Sequence, residues 1–217
     1  MQNMTGNTRA KLRQISDADQ AIREIRELRR RIVTFSGFSS NGYEDRTALE
    51  HLMSYVLDEL DPAADIVCSG ATSMGIGAIY ALAASREFRT IGIVSSKVQK
   101  EASSFADNVD IVFVIEDDTW GGYIDNNKTL SPTSRVMVHS SDLLVFIGGG
   151  DIARDEYDYA ARRGQSVRVF AADMNHAALI DKARRKGKGA PTDFKGALAN
   201  NIETGRDVSR GRSPGSR

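Results

Sequence analysis

Leu143-Leu144-Val145-Phe146-Ile147 is an unbroken apolar run. Gly148-Gly149-Gly150 follows it, and Asp151-Ile152-Ala153-Arg154-Asp155-Glu156 opens a helix-compatible segment over 152–163. Five apolar residues with no polar alternation suit a strand buried on both faces. Similar short runs stand at 32–35, 66–68, 90–94, 111–115 and 167–170, and helix-compatible segments at 46–60, 75–87 and 132–140 lie between several of them. Strands joined by helical crossovers make a parallel sheet, so six strands with helices on both faces are expected. Ligands of such sheets gather at the carboxyl ends of the strands, near the point where the strand order reverses.

Three loops at those ends are rich in small residues. The first carries Gly37, Phe38, Ser39 and Ser40. The second carries Gly70, Ala71, Thr72, Ser73, Met74 and Gly75, and the third is Gly148-Gly149-Gly150-Asp151. Glycine lets backbone N–H groups approach a ligand, and a following helix start adds donors and a positive dipole end. Tight turns also use glycine, so one such loop says little; three on one edge point to a nucleotide-like ligand. No G-x-x-x-x-G-K-[ST] is present, which excludes a P-loop. The second loop holds no full G-x-G-x-x-G, and no acidic residue ends the next strand, so an ordinary NAD dehydrogenase is disfavoured.

The 217 residues hold 29 basic and 29 acidic side chains, a formal balance of zero that hides their distribution. Residues 1–30 carry a net +3, residues 182–217 a net +7, and residues 31–181 a net −10. The acidic body opposes nucleic-acid binding, single-stranded DNA included; the basic tail permits only salt-sensitive contact. Cys68 is the only cysteine. It allows no intramolecular disulfide and, with no leader pattern and no apolar span of membrane length, suggests a cytoplasmic protein. His51, His139 and His176 show no metal spacing, and neither a metal nor a resident cofactor is expected.

The stretches 35–96 and 131–157 resemble the LOG ("Lonely Guy") phosphoribohydrolases, also labelled lysine decarboxylase-like, within the SLOG superfamily of nucleotide binders. Gly37-Phe38-Ser39-Ser40 is similar to the family's G-S-S loop, and Gly70 to Ala78 followed by Thr90-Ile91-Gly92-Ile93-Val94 to its second loop, helix and strand. Gly149, Gly150 and Glu156 fall in register with the signature P-G-G-x-G-T-x-x-E; its first Pro is Gly148 here, its third Gly is Ile152 and its Thr is Ala153. The resemblance implies a three-layer Rossmann-like α/β fold, a homodimer, and Glu156 acting on the N-glycosidic bond of a nucleoside 5′-monophosphate. The family's Arg position falls on Thr133, with Arg135 two residues later. That offset turns a helical side chain by about 200°. Two functions stay open: a sensor or carrier that binds a nucleotide or a nucleotide-derived ligand, favoured by the broken signature, and a phosphoribohydrolase using Glu156 and Arg135.

The stretch Glu116-Asp117-Asp118-Thr119-Trp120-Gly121-Gly122-Tyr123 leads through a long loop to Ser131-Pro132-Thr133-Ser134. Trp120, beside Gly121, either stacks on a base or plugs the loop; Thr133 and Ser134, at a helix start, suit a phosphate. Glu156 reads equally as an ordinary first-turn carboxylate, Arg135 as a solvated helix residue, and the Asp117-Asp118 pair as solvated. Asp173 suits an N-cap. At the ends, an amphipathic helix capped at Ser16 or Asp17 is expected to carry Ile15, Ile22, Ile25, Leu28 and Ile32 on one face. Three segments follow: an extension (1–30), a Rossmann-like domain (31–186) and a disordered basic tail (187–217).

Overall fold

The computed structural model describes residues 11–100, 105–126 and 128–209. The chain alternates strand and helix from its first described residue. β1 (Lys11–Ile15), α1 (Ala18–Arg26), β2 (Arg31–Gly37), α2 (Arg46–Leu57) and β3 (Asp65–Ser69) come first. A 3₁₀ turn (Gly75–Ala78) leads into α3 (Ile79–Ala84), β4 (Arg89–Ser95), the single turn α4 (Lys97–Lys100) and β5 (Ile111–Ile115). Then follow α5 (Pro132–Ser140), β6 (Leu143–Ile147), α6 (Asp151–Arg162), β7 (Val167–Phe170), α7 (His176–Arg185) and α8 (Gly196–Ser209).

All neighbouring strands pair in parallel, in the order β1-β5-β4-β3-β2-β6-β7. Side chains alternate across the strands, so each strand feeds two cores. Val33, Phe35, Val67, Val145 and Ile147 pack under Leu49 and Met53 of α2 and Ile79 and Tyr80 of α3. On the other face Ile32, Ile66, Cys68 and Ile91 lie under Ala21 and Ile25 of α1 and Val136 and Met137 of α5. Leu144 and Phe146 extend that face under Ala153 and Ala160 of α6 and Leu198 of α8. The result is a three-layer, doubly wound, Rossmann-like α/β fold. Burial pushes the Cys68 thiol up to about 12, which makes it an inert core residue.

Three sequence expectations are corrected. The sheet has a seventh strand: β1 pairs with β5 from Lys11↔Ile111 to Ile15↔Ile115, so residues 11–15, read as part of an extension, join the sheet. Only Ile15 of β1 is buried, because an edge strand needs no second apolar face and its Lys and Arg side chains remain in water. The amphipathic helix is shorter than its apolar spacing suggests: Asp17 caps it by accepting from the Asp19 N–H at 3.0 Å, while Ile15 and Ile32 belong to strands. The segment read as a disordered tail contains α8, with Leu198 buried against α6. Residues 1–10 and 210–217, which carry the rest of the extension and tail readings, lie outside the described residues.

Candidate functional site

β2 lies between β3 and β6, and the chain crosses from β5 at one side of the sheet to β6 on the far side of β2. The strand order therefore reverses at β2, and the crevice opens where β2 and β6 end. Gly37 closes β2 there. A Cβ on Gly37 would stand 2.1 Å from the Tyr43 hydroxyl and 2.6 Å from the Ile147 carbonyl, so only glycine lets the strand ends approach this closely. The buried Tyr43 Oη ties them together, accepting from the Phe38 N–H at 3.0 Å and donating to the Ile147 carbonyl at 2.7 Å. No sequence pattern marks this tyrosine.

Phe38 gathers the loops. Its carbonyl accepts from the Ile76 N–H at 2.8 Å, and Gly75, at φ +57°, passes so close that a Cβ would meet the same carbonyl at 2.2 Å. Its ring lies against Gly148 of the third loop and Gly196 at the start of α8. The loops named from the sequence thus meet around one buried side chain. Ser39, Ser40 and Ser73 are exposed beside them, and Thr72 is half-buried. Gly70 and Gly150 face open space: a Cβ added to either would meet nothing within 4 Å. Gly150 is the N-cap of α6 and offers no side-chain acceptor to the first-turn N–H groups. Asp151, next in the helix, is exposed and pairs with Arg154 at 2.8 Å. Gly149 is covered: its carbonyl accepts from the Leu198 N–H at 3.1 Å.

Glu156 sits deeper, on the buried side of α6, with 3% of its surface exposed. Ser134 Oγ donates to its Oε1 at 2.7 Å and Ser36 Oγ to its Oε2 at 3.0 Å. Burial outweighs these two hydrogen bonds and pushes the carboxyl up to about 7. Ser134 Oγ also accepts from the Gly122 N–H at 2.8 Å, so the loop after β5 closes over the carboxyl. Gly121 and Gly122 fit there without side chains, against Ser134 Oγ and Asp155 Oδ2 respectively.

The two arginines considered for chemistry point elsewhere. Arg135 is ion-paired with Asp19 of α1 and is 44% exposed, so it is not brought to Glu156; the two-residue offset decides its direction. Arg154 is held by Asp151 and Asp155. Thr133 and Ser134 are buried, and the Thr133 N–H already donates to Asp117 Oδ2 at 2.9 Å. Asp117 is itself buried rather than solvated. Trp120 is 39% exposed beneath Lys97, whose ammonium is 5.7 Å from the ring centre; it is not a buried plug. Among the described residues no three His, Cys, Asp or Glu side chains converge as a metal cage, and no helix is long and apolar enough to cross a membrane. A separate cavity of ≈ 260 Å³ lies beside Tyr43, Asp45, Leu49 and Asp173, away from Glu156.

A doubly wound Rossmann-like sheet with its small-residue loops collected at the switch point defines the structural class. No family model and no curated protein matches the chain. Solved structures are similar to it: the Moco carrier protein from Chlamydomonas reinhardtii shares 19% identity over 83% of this chain and 98% of its own, with a TM-score of 0.45. Another structure of the molybdenum cofactor carrier protein from that organism gives 16% identity, the same coverages and a TM-score of 0.46. The protein TM1055 gives 17% identity over 63% of this chain and 72% of its own, with a TM-score of 0.44. Likenesses this distant carry no argument about the ligand.

Proposed function

We propose that the protein binds an anionic small molecule, a nucleotide or a nucleotide-derived ligand, at the carboxyl edge of its sheet and acts as a carrier or sensor. The observation that carries this reading is the open, uncapped start of α6 beside the Ser39–Ser40 and Thr72–Ser73 loops. Backbone N–H groups there lack a side-chain acceptor, and Gly150 leaves room for one to be brought by a ligand. Ser39, Ser40, Gly70, Thr72, Ser73, Gly150 and Asp151 line the ligand, with Gly37, Gly75 and Gly149 shaping the loops behind them. Trp120 and Gly121 form the rim. Binding without turnover is favoured because serines engage both oxygens of Glu156, while Arg135 and Arg154 are each held by aspartates.

One observation favours the second reading, LOG-like cleavage of an N-glycosidic bond. A carboxyl held at about 7 can exchange a proton near neutral pH. A panel of nucleoside monophosphates and dinucleotides separates the readings. Thermal stabilisation without released base supports the carrier or sensor. Base release that is lost in Glu156→Gln supports the hydrolase, and no stabilisation by any member rejects the nucleotide site. A homodimer belongs to the same LOG-like reading, and light scattering at about twice the mass of 23.7 kDa is the expected result.

A further inference from the structure

Among the helices that start at the carboxyl edge, α5 and α6 flank the crevice and are finished differently. α6 begins at Gly150 with no side-chain cap. α5 begins under a carboxylate from a distant loop: Asp117 Oδ2 accepts from the Thr133 N–H at 2.9 Å. That carboxylate is 4% exposed, and its Oδ1 accepts from both the Thr119 N–H at 2.7 Å and the Thr119 hydroxyl at 2.8 Å. Its backbone is fixed as well. The Asp117 carbonyl accepts from the Ser95 and Ser96 hydroxyls at 2.9 and 3.2 Å, and its N–H donates to Ser96 Oγ at 3.2 Å. All these partners are neutral N–H or O–H groups. They hold the carboxyl below its ordinary range despite burial, so it is ionised at neutral pH.

We propose that Asp117 is a specificity-determining residue: its carboxylate fills the anion position at the start of α5 and thereby confines a ligand's phosphate to the α6 side of the edge. A phosphate at the Thr133 N–H would have to share one donor with a buried negative charge, and two anions there repel. The same side chain fixes Thr119 and with it the position of Trp120. One carboxylate therefore closes one helix start and sets the rim of the other. A phosphate at Thr133 and Ser134 would suit a bare helix start; here Ser131 caps the Ser134 N–H, and the acceptor for Thr133 comes from sixteen residues upstream.

The wild-type chain crystallised in the presence of inorganic phosphate gives the first test. Asp117 Oδ2 stays on the Thr133 N–H and no phosphate stands there; a phosphate on that N–H, with Asp117 turned away, overturns the proposal. Asp117→Ala gives the second: it removes the carboxylate and empties its place beside the Thr133 N–H, which then lacks that acceptor. Phosphate should bind this variant about tenfold more tightly than wild type, read by melting temperature and by emission of Trp120, the only tryptophan. Equal responses of variant and wild type overturn the proposal. Should the variant not fold, the wild-type crystal decides. The inference rests on the proposed anion site at the start of α6 but not on the ligand's being a nucleotide: failure of the nucleotide panel alone rejects the nucleotide, whereas a phosphate on the Thr133 N–H of the wild type rejects the role of Asp117.

Discussion

Glu156, buried with both its oxygens held by serines, is where pH should be felt. Its carboxyl is raised to about 7, whereas in the unfolded chain it titrates near its ordinary value of 4.5. Between those two values the folded state holds the extra proton, so folding is favoured by acid there and stability falls as pH rises through that window. The loss amounts to about 3 kcal/mol. Glu156→Gln removes it: thermal melts of wild type should fall relative to the variant from pH 5 to pH 8, and parallel curves would contradict the burial account. The glycine–glutamate spacing made Glu156 legible without a structure. Its partners were not, because Ser36 and Ser134 lie 120 and 22 residues away and only the fold brings them in. Arg135 shows the converse: the two-residue offset from the family's position was readable, but its partner, Asp19 of α1, was not.

Six strands were legible as short, largely apolar runs, four of them without polar alternation, and α5 appears with the same bounds, Pro132–Ser140. β1 and α8 were not legible, for two different reasons. β1 reads Lys-Leu-Arg-Gln-Ile, a pattern that only the pairing with β5 makes a strand. α8 has few apolar residues, and its order comes from tertiary contacts. Leu198 packs with 1% exposure, Phe194 stacks on His176 with ring centres 3.9 Å apart, and the Phe194 carbonyl accepts from the Met174 N–H at 2.8 Å. The cap of α7 moved too: Asn175, not Asp173, accepts from the Ala178 N–H at 2.8 Å. Leu198→Ala should therefore cost about 3 kcal/mol in denaturant unfolding, the ordinary penalty for emptying a buried leucine site. A loss below about 0.5 kcal/mol, typical of surface substitutions, would return this segment to the status of a tail. Tyr43→Phe should also destabilise, by about 1–3 kcal/mol, because the Phe38 N–H and Ile147 carbonyl lose their shared partner.

Across the whole molecule, a net charge of zero conceals an acidic middle and basic ends. An anionic ligand can be accepted on an acidic domain if its charge meets aligned backbone N–H groups. The start of α6 has that form, and the start of α5 has been closed by Asp117. Gly150→Asp tests the difference most directly. Gly150 has an extended backbone at φ −86°, which any residue adopts, and the space beside its Cα is empty. An aspartate there caps α6 as Ser131 caps α5, whose side chain accepts from the Ser134 N–H, so the variant should be as stable as wild type or slightly more so. Titration calorimetry with the best-binding nucleotide of the panel should show affinity reduced at least about tenfold, the effect of a negative charge in the anion position. Wild-type affinity in a folded Gly150→Asp chain would contradict a ligand site at the start of α6.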